Sequence, residues 1–182
     1  ARLDEVGGEL DAGGWEVEEF HRLMHHRAAT WPNGMSASST HDTKRSEDVR
    51  ARLHVLSETP RRWKEAVLLW RQMNRRFLEN WDGDPIPDAN EEYLIYQTLV
   101  GTWPITPMDE AAREAYCNRI VLYMEKALRE AKLHTSWMNP SEEYETRAFD
   151  FVRKILGPEA AAFQTDLAQF VAEIADAGFV NS

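Results

Sequence analysis

His41 and Asp42 stand side by side, followed after Thr43 by Lys44 and Arg45, within the run STHDTKRSEDVRARLHVLSE over residues 39–58. Residues 34–40 are Ser-rich and form the one stretch that resembles a strand, and a helix is expected to begin near Ser46. A carboxylate at the carboxyl end of a strand is where barrel folds place catalytic side chains. Lys44 and Arg45 would keep the Asp42 carboxyl ionised. A plainer reading stands beside this one. Asp42 and Thr43 cap the helix, while Lys44, Arg45, Glu47, Asp48, Arg50 and Arg52 form a solvated, ion-paired face. Pattern alone favours the cap.

Other residues offer less. His21 and His25 lie four apart with His26 adjacent, but the Glu of an HExxH pair and a third ligand at a usual spacing are missing, so a surface cluster is favoured and no metal is expected. Asp82-Gly83-Asp84 lacks the later Gly and Glu of a calcium loop and reads as a turn. His134 and Trp137 close a long helix. A His favourable to the helix dipole with a packed Trp, and a pair of groove residues, remain equal readings there. Cys117 falls in mid-helix as a small packing residue.

The elements that must position these groups are helical. Val67, Trp70, Met73 and Phe77 recur at helical spacing after Thr59-Pro60, an N-cap with proline at the first helical position. A second long helix is predicted from Thr106-Pro107 through Ala131, with Arg113, Glu114, Lys126 and Glu130 outside. Asn139-Pro140 with Glu142 suggests a capping box for a helix ended by Gly157-Pro158. The last helix carries Phe163, Leu167, Phe170 and Ile174, with Gly178 as its C-cap. Residues 16–29 read as a helix with Val17, Phe20 and Met24 inward, and residues 91–100 as a helix buried nearly all round. The expected fold is all-α, a multi-helix bundle of about seven helices.

Composition narrows the function. Asp and Glu outnumber Lys and Arg by 31 to 21 among 182 residues, which disfavours nucleic-acid binding. One cysteine makes no internal disulfide, and a cytoplasmic location is the default. No apolar run approaches the ~20 residues of a membrane span. Seven Trp permit a carbohydrate role without proving it. The chain opens in mid-pattern at Ala1-Arg2-Leu3 and closes on Phe179-Val180, which suggests a fragment of a longer protein.

Three motifs in order point to one family. THDTKRSEDVRARL with VLSE, YLIYQTLVG at 93–101 with Trp103-Pro104, and KALREAKLHTSW at 126–137 together resemble maltooligosyl trehalose synthases, a branch of the α-amylase superfamily. Glu5-Val6-Gly7-Gly8 and Asn181-Ser182 fit the same pattern. Ser36 and Ser141 are small departures from it.

The resemblance implies a retaining, amylase-type barrel enzyme that turns the terminal α-1,4 bond of a maltooligosaccharide into an α,α-1,1 bond. Such chemistry needs a nucleophilic carboxylate and a general acid about a cationic transition state. By motif Asp42 matches the family's third, stabilising carboxylate and His41 its sugar-binding neighbour. Lys44, with Arg45 beside it, matches a contact to the sugar beyond the cleaved bond, and His134 and Trp137 fall in a family motif. The nucleophile and acid motifs are not found in residues 1–40. Residues 1–42 are then a remnant of the barrel and residues 43–182 a helical insertion between its seventh and eighth strands. Residues 35–40 should not form an ordinary sheet strand, Asp42 should be displaced or mobile, and the fragment should be inactive alone. No cofactor is implied. The pathway partner implied is maltooligosyl trehalose trehalohydrolase. The rivals are a non-catalytic helical interaction or carbohydrate-binding module, and a fragment of an amylase-type hydrolase, against which Lys44-Arg45 and SEDVRARL argue.

Overall fold

The computed structural model describes residues 15–41 and 43–182. The expectations placed on Asp42 and on Glu5-Val6-Gly7-Gly8 lie outside the described residues. Among those described, seven α-helices and one two-stranded hairpin make an all-α bundle. The helices are α1 Val17–Thr30, α2 Glu47–His54, α3 Pro60–Asn74, α4 Ala89–Thr102, α5 Glu110–Ala131, α6 Glu142–Leu156 and α7 Ala161–Asn181. The strands are β1 Glu79–Trp81 and β2 Asp84–Ile86. Residues 35–40 lie outside any strand.

The core forms around Trp70 of α3, which is fully buried. Its ring meets Tyr96 of α4 at 5.6 Å and Phe163 and Phe170 of α7 at 5.8 and 5.5 Å, all edge-on. Edge-to-face rings add to what area burial supplies. Its indole N–H donates to Asp166 Oδ1 at 2.6 Å, so the polar atom is satisfied. α4 runs through the centre with Ile95, Tyr96, Leu99 and Val100 fully buried, as its all-round apolar sequence demands. Around it, α7 packs along α2 and α6 along α5.

Several local expectations give way to other contacts. Val17, Phe20 and Met24 are exposed by 70, 49 and 40 %, so the α1 stripe has the right period, yet among the described residues nothing covers it. The strand chemistry belongs to Asp82-Gly83, where both residues take positive φ (52° and 94°) and join β1 to β2 in a primed two-residue turn. Thr59 and Pro60 do begin α3, but the Thr59 hydroxyl donates back to the Val55 carbonyl instead of capping. α5 starts at Glu110, capped by Asp109 Oδ1 accepting from the Ala112 N–H at 2.8 Å. The Asn139–Glu142 capping box does not form. Asn139 is drawn into a loop with Ser136, and Ser141 takes the cap position of α6. Gly178 is not a C-cap, since α7 continues to Asn181. A Cβ there would lie 3.2 Å from the Arg52 Cα, so this glycine allows α2 and α7 to approach closely.

Candidate functional site

The run that carries the His-Asp pair is latched to the bundle by its own arginines. Arg45 donates to the Thr98 hydroxyl of α4 at 3.1 Å and lies 5.4 Å over the Tyr123 ring of α5. Arg50 donates to the Ser38 carbonyl and, at 3.1 Å, to the Ser39 hydroxyl. Arg52 donates to the Trp103 and Val100 carbonyls at 2.8 and 3.3 Å, satisfying acceptors that the end of α4 leaves open. These are specific latches and not a solvated ionic face. Thr43 does not cap α2 either. Its hydroxyl accepts from the Thr40 N–H at 2.9 Å, while its own N–H donates to the Thr40 carbonyl at 3.1 Å, which closes a tight turn around His41. The cap position is Ser46.

That turn opens onto α5. Lys44 Nζ sits 3.5 Å from Glu130 Oε2, and Lys126 approaches the other oxygen at 3.9 Å. A cavity of about 190 Å³ is lined by His41, Thr43, Lys44, Tyr123, Lys126, Ala127 and Glu130. A neighbouring one of about 440 Å³ shares Lys44 and Tyr123 and adds Arg45, Asp48, Thr98 and Arg119. His41, Lys44 and Arg45 thus come together with α5. Tyr123 and Glu130 were missed as site residues. Their only signal was position: with Lys126 and Ala127 they form a stripe at helical spacing along the flank of α5.

His134 and Trp137 belong to a second cluster, and neither lines the cavities described above. Asp88 and Glu91 cap α4 reciprocally, Asp88 Oδ1 accepting from the Asn90 and Glu91 N–H groups and Glu91 Oε2 from the Asp88 N–H. His134 Nε2 meets Asp88 Oδ2 at 3.1 Å, and its ring stacks on Tyr144 at 4.5 Å. Tyr144 donates its hydroxyl to Glu91. Burial would raise the Asp88 carboxyl, but hydrogen bonds from Glu91, His134 and Asn90 outweigh it and hold the group low. Burial wins at Glu91 and pushes its carboxyl up. Asp88, Glu91 and His134 offer ligand atoms within 4.8 Å of one another, each already used in this network.

The loop is fixed from below by Arg129, which binds Glu145 through two parallel bonds of 2.8 and 2.7 Å, with the Thr135 hydroxyl donating to the same carboxylate at 2.6 Å. The Arg129 guanidinium also backs the half-exposed Trp137 ring at 4.9 Å. The Arg129 bonds hold the Glu145 carboxyl below its usual range, burial opposing them in part. Stability from a lowered carboxylate is present above its unfolded pKa and lost as pH falls through the lowered, folded value. Glu145→Gln should therefore flatten the acid limb of stability against pH. Urea midpoints of wild type and variant, measured from pH about 7 down to about 3, check this. Parallel limbs would show that the pair does not govern acid unfolding.

No family model matches the chain. A Mycobacterium tuberculosis protein provisionally named maltooligosyl trehalose synthase is 39% identical over 160 residues, 87% of this chain and 19% of its own length. A Sulfolobus tokodaii hypothetical maltooligosyl trehalose synthase matches 96% of this chain with a TM-score of 0.78 at 34% identity, over 22% of that structure. The Arthrobacter ramosus maltooligosyltrehalose synthase matches 97% with a TM-score of 0.75 at 32% identity, over 20% of its chain. The chain thus spans about a fifth of the length of the relatives it matches. Among the described residues, no helix is long and apolar enough to cross a membrane.

Proposed function

We infer that this chain, kin to the maltooligosyl trehalose synthases over 19% of the length of a curated relative, serves as the helical insertion of such an enzyme. The whole protein would convert the terminal α-1,4 bond of a maltooligosaccharide into an α,α-1,1 bond, feeding a maltooligosyl trehalose trehalohydrolase in the cytoplasm. Residues 1–42 would belong to its barrel and residues 43–182 to the insertion. The observation that carries the reading is the run 39–58 within a 160-residue match at 39% identity.

In this reading Asp42 stabilises the cationic transition state and His41 binds the sugar whose bond breaks. Lys44 holds the glucose released, so that its anomeric hydroxyl attacks in place of water. Arg45 was expected to touch substrate. Its bonds to Thr98 and Tyr123 support a different share of the work, holding the Lys44 segment against α4 and α5. His134 and Trp137 would form the rim that the insertion adds to the glucan groove, Trp137 offering a half-exposed ring for a sugar face. The nucleophile and general acid would come from elsewhere in the whole protein.

Given maltopentaose, the full-length protein carrying this segment should consume reducing ends without releasing glucose. The 182-residue chain alone should leave the sugar unchanged. A rise in reducing ends would mark a hydrolase and sink the reading. Turnover by the isolated chain would sink the division of labour.

A further inference from the structure

We propose that the cavity between the end of α3 and the β1–β2 hairpin binds the phosphate group of a small molecule, held by Arg71 and Arg75. The cavity measures about 670 Å³ and shares no lining residue with those beside His41 and Lys44. Sites for small organic ligands run from ~300 to ~1,000 Å³, so the size suits a phosphate ester better than the free ion. Arg71 and Arg75 line it from α3 and the turn that follows, Asn80 and Pro85 from the hairpin, and Glu92 from the first turn of α4.

Two observations select an anion. The first is a guanidinium held in place from within the core. Asn74 Nδ2 donates to the Tyr96 hydroxyl at 3.2 Å, that hydroxyl donates to Glu92 Oε1 at 2.8 Å, and Arg71 Nε donates to Glu92 Oε2 at 2.9 Å. The Glu92 side chain is only 3 % exposed, and a charge so buried needs its lone pairs occupied. The bond to Glu92 uses Nε alone, which leaves the terminal amino groups of Arg71 without a partner among the described residues. The second observation is Arg75, one helical turn on, which has no hydrogen bond or ion pair among the described residues. Like charges four residues apart repel, so an anion shared between the two guanidinium groups relieves a repulsion that a neutral guest leaves in place. Planar N–H forks also match phosphate oxygens, which accept paired bonds. Gln72 and Asn80 add amides for the body of an ester, and Leu78 and Pro85 an apolar wall. The hairpin side is fixed, since Arg147 of α6 donates to the Asn80 carbonyl at 2.9 Å. No aromatic ring lines the cavity, so a neutral glucan finds no face to stack on.

Isothermal titration of the full-length protein at constant ionic strength tests the site, with glycerol phosphate, inorganic phosphate and glycerol as probes. Glycerol phosphate should bind saturably, and Arg75→Gln should weaken it about tenfold, the scale of one charge-assisted bond. Because Arg75 has no partner to lose, that variant should melt with wild type. Arg61→Gln, which removes another exposed charge of α3, should leave the affinity unchanged. Tighter binding of glycerol phosphate than of inorganic phosphate identifies an ester as the guest, and equal binding identifies the free ion; both uphold the site. Saturable binding of neither phosphate overturns it. So does glycerol binding as tightly as its phosphate, or an affinity that Arg75→Gln leaves intact or that Arg61→Gln lowers equally. None of these readouts depends on turnover of maltopentaose.

Discussion

Asp42→Asn in the full-length protein is expected to cut conversion of maltopentaose by about 10²- to 10³-fold, the cost of losing one preorganised charge at a transition state. The amide is close in size to the carboxylate, so packing is preserved while the negative charge is not. That charge matters because bond breaking at the sugar builds positive charge on the ring, and only interactions that strengthen along that path raise the rate. The segment that carries it is fastened by bonds from Arg45, Arg50 and Arg52 and by the Thr40–Thr43 turn. Equal melting temperatures for the two proteins, with reducing-end loss followed over time, complete the measurement. A variant that keeps more than a tenth of wild-type conversion would remove Asp42 from the proposed mechanism.

Much of this architecture was legible in the residues. The all-round apolar run at 91–100 allows a strand or an enclosed helix, Asp88 and Glu91 favour the helix start, and α4 is that helix. What misled were short signals whose partners are distant in sequence. Gly178 looks like a helix end because glycine is common there, but its reason lies in Arg52 on another helix. Asn139 and Glu142 have the spacing of a capping box, yet the Ser136–Asn139 loop takes Asn139. The true box at Asp88–Glu91 has the same spacing and forms because Asp88 Oδ1 stays on the Asn90 and Glu91 N–H groups while His134 takes the other oxygen. The site shows the same limit. His41, Lys44 and Arg45 stood out in one run, whereas Tyr123 and Glu130 acquire meaning only once α5 lies across from them. Periodicity reports which face of a helix is apolar. It carries no record of which loop a polar flank will meet.

The largest expected loss of stability is at Trp70. Trp70→Ala should cost about 4 kcal/mol, since large-to-small changes at fully buried aromatic positions leave a cavity that close packing cannot refill. The ring touches α4 and α7 at once, so the loss is shared by three helices. Trp70→Phe should cost less. It keeps most of the edge-on contacts and gives up the N–H bond to Asp166, a carboxylate near enough to solvent to be rehydrated. The consequence reaches the candidate site through α2, which packs on α4 and α7 and carries the Arg52 latch. With a urea slope of about 2 kcal/mol/M, Trp70→Ala should lower the unfolding midpoint by about 2 M. Given total stabilities of about 5 to 15 kcal/mol, that leaves a protein near the edge of folding. A shift below about 0.5 M would mean that the bundle repacks around the missing ring and that Trp70 is not its centre. If the midpoint falls as expected, tryptophan fluorescence and helix content should be lost together, because one cooperative core joins α3, α4 and α7.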